Sequence, residues 1–140
     1  MLALLVFGLI GTIVELLLLE HYEEGWQLVP LFLIGLALGV VVWHLVRPRA
    51  GNVRALQVLM LLFLFAGAVG VGLHLDGAAE FQVEIDPSQS RWEVFKKAMQ
   101  AKAPPVLAPG VMMQLGLLGL MYVYRHPALS GPQAASRETE

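Results

Sequence analysis

The sequence predicts an all-α integral membrane protein: a four-transmembrane-helix up-down bundle with a small extracytoplasmic strand-plus-amphipathic-helix cap between helices 3 and 4. Three observations predict it. Apolar runs at about residues 2–19, 28–46, 53–73 and 105–124 each reach roughly 27–32 Å as helix, close to the thickness of a bilayer's hydrocarbon core. Only 14% of the 140 residues are charged, against ~25% in a soluble domain. The first two connections are short, which forces consecutive helices to run antiparallel. The chain reads as one membrane domain over residues 1–127, with the outer cap at 75–104 and a cytoplasmic tail at 128–140 expected to be disordered.

The first run follows Met1 directly, without the basic stretch or small-residue cleavage site of a signal peptide, and so reads as a retained span. Lipid provides no hydrophobic drive for helix pairing, so small residues that let backbones approach mark the packing faces. Gly8 and Thr12 serve in span one, Gly35 and Gly39 form a G-x-x-x-G in span two, Ala66 and Gly70 serve in span three, and Gly116 with Gly119 in span four. In the cap, Phe81, Val83 and Ile85 alternate with polar residues, the period of a half-buried strand. Ser90 and Glu93 then form a capping box that opens a helix. Trp92, Phe95 and Met99 would lie buried or at the membrane interface, and Pro104-Pro105 ends the cap helix.

Orientation follows from basic residues near the span ends. The second loop holds Arg47, Arg49 and Arg54, the C-terminal side Arg125 and Arg137, and the first loop none. The third loop has Arg91, Lys96, Lys97 and Lys102, mostly far from the third span. Both termini are therefore expected in the cytoplasm, with the acidic loops carrying Glu20, Glu23, Glu24, Asp76, Glu80, Glu84, Asp86 and Glu93 on the outer side.

Composition removes several functions. With no cysteine, there is no disulfide, thiol chemistry, cysteine-ligated zinc or covalently attached c-type haem. No basic cluster interleaved with aromatics suggests nucleic acid. No catalytic triad or phosphate loop is present, and no residue is singled out as catalytic.

Three site candidates follow. Glu15 shares a stripe with Gly8 and Gly11, and is expected to be a buried polar group bonded to Thr12 or Gln114. An ionisable residue inside a span is a default candidate for a proton- or cation-coupled site. At the outer end, Glu20, His21, Glu24 and His74 make a carboxylate–imidazole set for a divalent metal. Alternatively, His21 with His74, and His44 with His126, end diagonal spans at opposite faces and could each hold a b-type haem. The leading expectation is non-enzymatic: an accessory or scaffold subunit of a membrane complex, with the lipid bilayer, other subunits or itself as partners and no required cofactor. A small coupled transporter using Glu15 and a haem or metal redox protein are the alternatives.

Overall fold

The computed structural model describes residues 1–101 and 105–129, and all the regular structure there is helical. Helix α1 spans Leu2–Leu18, α2 Leu28–Val46, α3 Ala50–Ile85, α4 Arg91–Met99 and α5 Leu107–Val123, with single 3₁₀ turns at Gly25–Gln27 and Pro127–Leu129. Two helices are long and apolar enough to cross a membrane: α2 with its leading turn, at 22 residues, and α3, at 36. Their most apolar windows are only 28% and 22% buried within the chain, so they are not the enclosed core helices of a soluble protein. Helices α1 and α5 are apolar and 17 residues each.

Helix α3 is the hub. Its most extensive packing is against α5 and then α2, while α1 lies across α2 and α5. The α3–α5 seam is built on glycine. A Cβ at Gly116 would stand 2.8 Å from the Met60 carbonyl oxygen, and one at Gly67 2.8 Å from the Pro109 carbonyl oxygen. Gly70 abuts Pro109, and Gly119 receives Met60. Residue numbers rise on α3 as they fall on α5, so the two are antiparallel. Gly8 against Leu115 and Leu5 against Gly119 set α1 antiparallel to α5 in the same way. Leu5, Leu9, Ile34, Ala37, Met60 and Phe63 are fully enclosed between these helices.

Several expectations are corrected. A Cβ added at Gly35 or Gly39 would meet nothing within 4 Å, and both glycines face outward. Helix α2 instead packs through Ile34, Ala37, Val41 and His44, at the three- and four-residue steps of one face. Ala37 supplies the small residue where the glycine pair was expected. The strand at residues 81–86 is absent: α3 runs unbroken through Phe81 to Ile85. A lone six-residue strand would leave its backbone groups without a partner strand, whereas Ala78, Ala79 and Glu80 are good helix formers. The helix stops only before Pro87, where Asp86 takes an extended backbone and its carboxylate accepts from the Ser88 amide and hydroxyl. At ~1.5 Å per residue, α3 is ~54 Å long, roughly 24 Å more than a ~30 Å hydrocarbon core.

The cap is thus a helical hairpin. Ser90 opens α4, its hydroxyl accepting from the Glu93 amide while the Glu93 carboxylate accepts from the Ser90 amide and hydroxyl. Val94 and Ala98 form the buried face of α4 against α3. Trp92 and Phe95 stack on one another with 64% and 45% exposure, so of the two expected placements, buried or at the membrane interface, burial within the chain is not found. Ala128 and Leu129, expected to be disordered, pack on the core in the last turn. Lys102, Pro104 and residues 130–140, the rest of the expected disordered tail, lie outside the described residues.

Candidate histidine sites at the two ends of the helices

The structure brings the four histidines together two by two. At the end of α1, the Glu20 amide donates to the Leu17 carbonyl and the His21 amide to the Leu16 carbonyl at 2.9 Å. That hydrogen-bond pattern is a Schellman cap, whose turning residue must be left-handed and is ordinarily glycine. Here it is Glu20, at φ 52°. The turn folds the chain back so that the His21 ring lies beside that of His74 on α3, centroids 6.1 Å apart and planes 13° from parallel. His21 is half-buried and His74 exposed. Desolvation, then the nearby His74 ring, holds the His21 pKa below its ordinary 6.5.

The opposite end repeats the device. Tyr124 has φ −61° and ψ 123°, Arg125 has φ 52°, and the His126 amide donates to the Val123 carbonyl at 3.1 Å. These values describe a type II turn, which again prefers glycine at the position held by Arg125. Its result is to place His126 5.3 Å, centroid to centroid, from His44 on α2. The Tyr122 hydroxyl lies between them, 3.2 Å from His44 Nε2 and 3.4 Å from His126 Nε2.

Proton positions in this cluster follow in sequence. The Ala128 amide donates to His126 Nδ1 at 3.2 Å, so a neutral His126 carries its proton on Nε2 and donates to Tyr122. The Tyr122 hydroxyl then donates to His44 Nε2, which leaves the His44 proton on Nδ1. His44 is 7% exposed, and its Nδ1 has no protein hydrogen-bond partner. Asn52 completes the polar end: it is 2% exposed, and its Nδ2 donates to the Arg47 carbonyl at 2.8 Å, tying the start of α3 to the end of α2.

The other candidates do not assemble. Among the described residues, no three His, Asp or Glu groups converge as a metal set, so Glu20 and Glu24 do not join His21 and His74. The acidic turn is organised through its backbone instead, the Glu23 and Glu24 amides both donating to Gln27 Oε1 at 2.9 and 3.1 Å. Glu15 and Gln114 are exposed and Thr12 half-buried, so the buried polar cluster is not found. The register explains this. Gly8 sits against Leu115, so antiparallel α5 brings Ala108 and Pro109, not Gln114, to the level of Glu15.

A paired-haem arrangement also finds no support at the His44–His126 end, where both Nε2 atoms already face Tyr122. No histidine lines the groove between α3 and α4 or the one between α1 and Leu45, so neither offers a porphyrin an imidazole ligand. Of the residues found here, sequence reasoning missed Tyr122 and Asn52. Tyr122 was detectable from its four-residue spacing to His126, one helical turn. No protein-family model, curated protein or solved structure matches the chain.

Proposed function

We propose that this chain is a four-span integral membrane protein without catalytic activity, an accessory or scaffold subunit that associates through the outer faces of α1 and α2. Both termini lie in the cytoplasm, and the α3–α4 hairpin stands on the extracytoplasmic side with Trp92 and Phe95 at the interface. The exposure of Glu15 carries the reading. It lies on the outer face of α1, about one turn below the helix end, between exposed Val14 and Leu18 and one turn above exposed Gly11. A carboxyl group facing acyl chains is costly, and intramembrane acids ordinarily face protein or water. A neighbouring helix in the notch at Gly11 would give Glu15 that environment. Gly35 and Gly39 on α2 offer a second unfilled notch flanked by exposed Phe32, Leu36 and Trp43.

The same exposure weighs against a coupled transporter built on Glu15 within a single chain, because the carboxyl group faces away from the packed interior of the bundle. The absence of cysteine makes the test direct. Single cysteines at Gly11, Gly35 or Gly39 are expected to cross-link in native membranes, to a second copy or another subunit, while Gly67→Cys in the α3–α5 seam gives none. Monomer alone at every outward position would overturn the reading. Reporter fusions at the two termini check the topology and are expected on the same side.

A further inference from the structure

We propose that the groove between α3 and α4 binds a short apolar peptide with free termini, its ammonium group at Asp76 and its carboxylate at Arg91. The groove encloses about 460 Å³, within the ~300–1,000 Å³ typical of small-molecule sites. Gly72, Leu75, Asp76, Ala79 and Val83 line it from α3 at i, i+3, i+4, i+7 and i+11, one face of that helix. Small residues keep it open: Ala98 on α4, and Ala79 and Gly72 on α3. A Cβ added at Gly72 would meet nothing within 4 Å.

Gln89 carries the argument. Its Nε2 donates to the Gln82 and Asp86 carbonyls, each at 3.2 Å, which fixes the amide with Oε1 as its free end. Gln89 lines the groove, and that oxygen is buried with no protein hydrogen-bond partner. A bare buried acceptor is costly, so the groove calls for a ligand N–H or O–H at this point. The same two bonds hold Gln89 level with the end of α3, so Arg91, two residues on, stands beside it at that end of the groove. A cation next to a bare acceptor suits a carboxylate with an N–H two bonds away, which is the C-terminal end of a peptide. Asp76 lies seven residues before Val83, ~10 Å along the α3 axis, and suits the ammonium at the other end. At ~3.3–3.6 Å per extended residue, this separation matches about three residues. Val83 and Phe95 supply apolar walls for their side chains.

The order of the charges selects against a lipid headgroup. The apolar run of α3 ends at Leu73, so Asp76 is the pole nearer the bilayer and Arg91 the farther one. A phospholipid rising from the bilayer brings its phosphate to Asp76 first and its ammonium onward to Arg91, the wrong sign at both poles. This site does not depend on the accessory-subunit reading, since it lies within one chain and is tested on purified protein.

The test titrates the full chain in detergent micelles with the tripeptide Ala-Leu-Ala, read by calorimetry. One peptide per chain is expected, with a dissociation constant below about 1 mM. N-terminal acetylation removes the ammonium and C-terminal amidation the carboxylate. Each should weaken binding about tenfold, the worth of one charge-assisted hydrogen bond. Asp76→Asn should weaken binding of the free peptide by the same factor and leave that of the acetylated one unchanged, and Arg91→Gln should do likewise with the amidated one. No saturable binding at about 1 mM, or capped peptides that bind as tightly as the free one, overturns the proposal without reference to any variant. A variant with helical circular dichroism intact that weakens its matching capped peptide as much as the free one overturns it too. Saturable binding of phosphoethanolamine without binding of the peptide would assign the groove to a lipid headgroup, and overturns it as well.

Discussion

Replacing Gly67 by alanine tests whether the glycine seam holds α3 on α5. The new methyl would meet Met113 Cγ at 2.5 Å, the Pro109 carbonyl oxygen at 2.8 Å and the Met113 amide nitrogen at 3.1 Å. The Met113 side chain can rotate away. The carbonyl and the amide belong to the α5 backbone, so relief requires α5 to shift. Overpacking of this kind costs about 1–3 kcal/mol. Alanine in a helix interior regains about 0.5–1 kcal/mol relative to glycine, which leaves a net loss of about 1–2 kcal/mol. Gly39→Ala is the control. Its Cβ meets nothing within 4 Å, so only the gain of about 0.5–1 kcal/mol remains. The two variants should therefore differ by about 2 kcal/mol, roughly a 30-fold difference in the unfolding equilibrium. Equilibrium unfolding by added sodium dodecyl sulfate in mixed micelles measures both. Gly67→Ala as stable as the wild type, or a Gly39→Ala that is the more damaged of the two, would refute the packing argument.

Three further outcomes follow from the same geometry. Tyr122→Phe strips the shared hydroxyl from His44 and His126, and leaving the buried His44 ring without that partner should cost about 1–3 kcal/mol in the same unfolding assay; unchanged stability would mean that the cluster is not bonded as described. Glu20→Gly removes the left-handed strain and should stabilise the chain by ~1 kcal/mol, with a loss of stability counting against the Schellman geometry. The Ser90 amide and hydroxyl hold the Glu93 pKa below its ordinary 4.5. With the folded value the lower one, the contribution to α4 is complete above pH 4.5 and is lost as pH falls through the depressed value. The protection of the α4 amides, taken relative to the intrinsic exchange rate at each pH, should therefore fall in acid, and Ser90→Ala should flatten that dependence; an equally steep profile in the variant would show that the capping box is not its source.

The apolar helices were legible because their signal is length. Leu28–Val46 matches its expected bounds, and Leu2–Leu18 and Leu107–Val123 fall within two or three residues of theirs. The capping box at Ser90 was legible because it is local, with both partners inside four residues. What failed was the assignment of faces. A span that is apolar all round has almost no moment, so the sequence does not say which side packs. On α2, the eye is drawn to Gly35 and Gly39, yet the chain packs through Ala37. On α1, Gly8 does pack, but Gly11 and Glu15 fall outward, because the contact is narrow and centred on Leu5 and Leu9. The extension of α3 was hidden by an alternating pattern six residues long, too short to outweigh an uninterrupted helix with no strand to pair with.

Both ends of the molecule solve one problem by the same means. A glycine seam fixes the middle of α3 on α5, but it does not determine what becomes of the chain where the helices end. There, two of the four histidines come from helices, His44 and His74, and two from the turns that follow helices, His21 and His126. Each turn histidine follows a non-glycine residue at φ 52°, and among the described residues Glu20 and Arg125 are the only two such positions. A turn chosen for cheap reversal would carry glycine. Holding Glu and Arg in that conformation costs about 1–2 kcal/mol apiece, so the contacts made by the following histidine have to offset it. From Asn52, beside the His44–His126 cluster, to His74, the α3 axis rises ~33 Å. The two pairs therefore lie about one membrane thickness apart, and each ties diagonal elements together: α1 to α3 at one end, α2 to the turn after α5 at the other. In this arrangement polar contacts join the helices at their ends, and close glycine packing joins them in between.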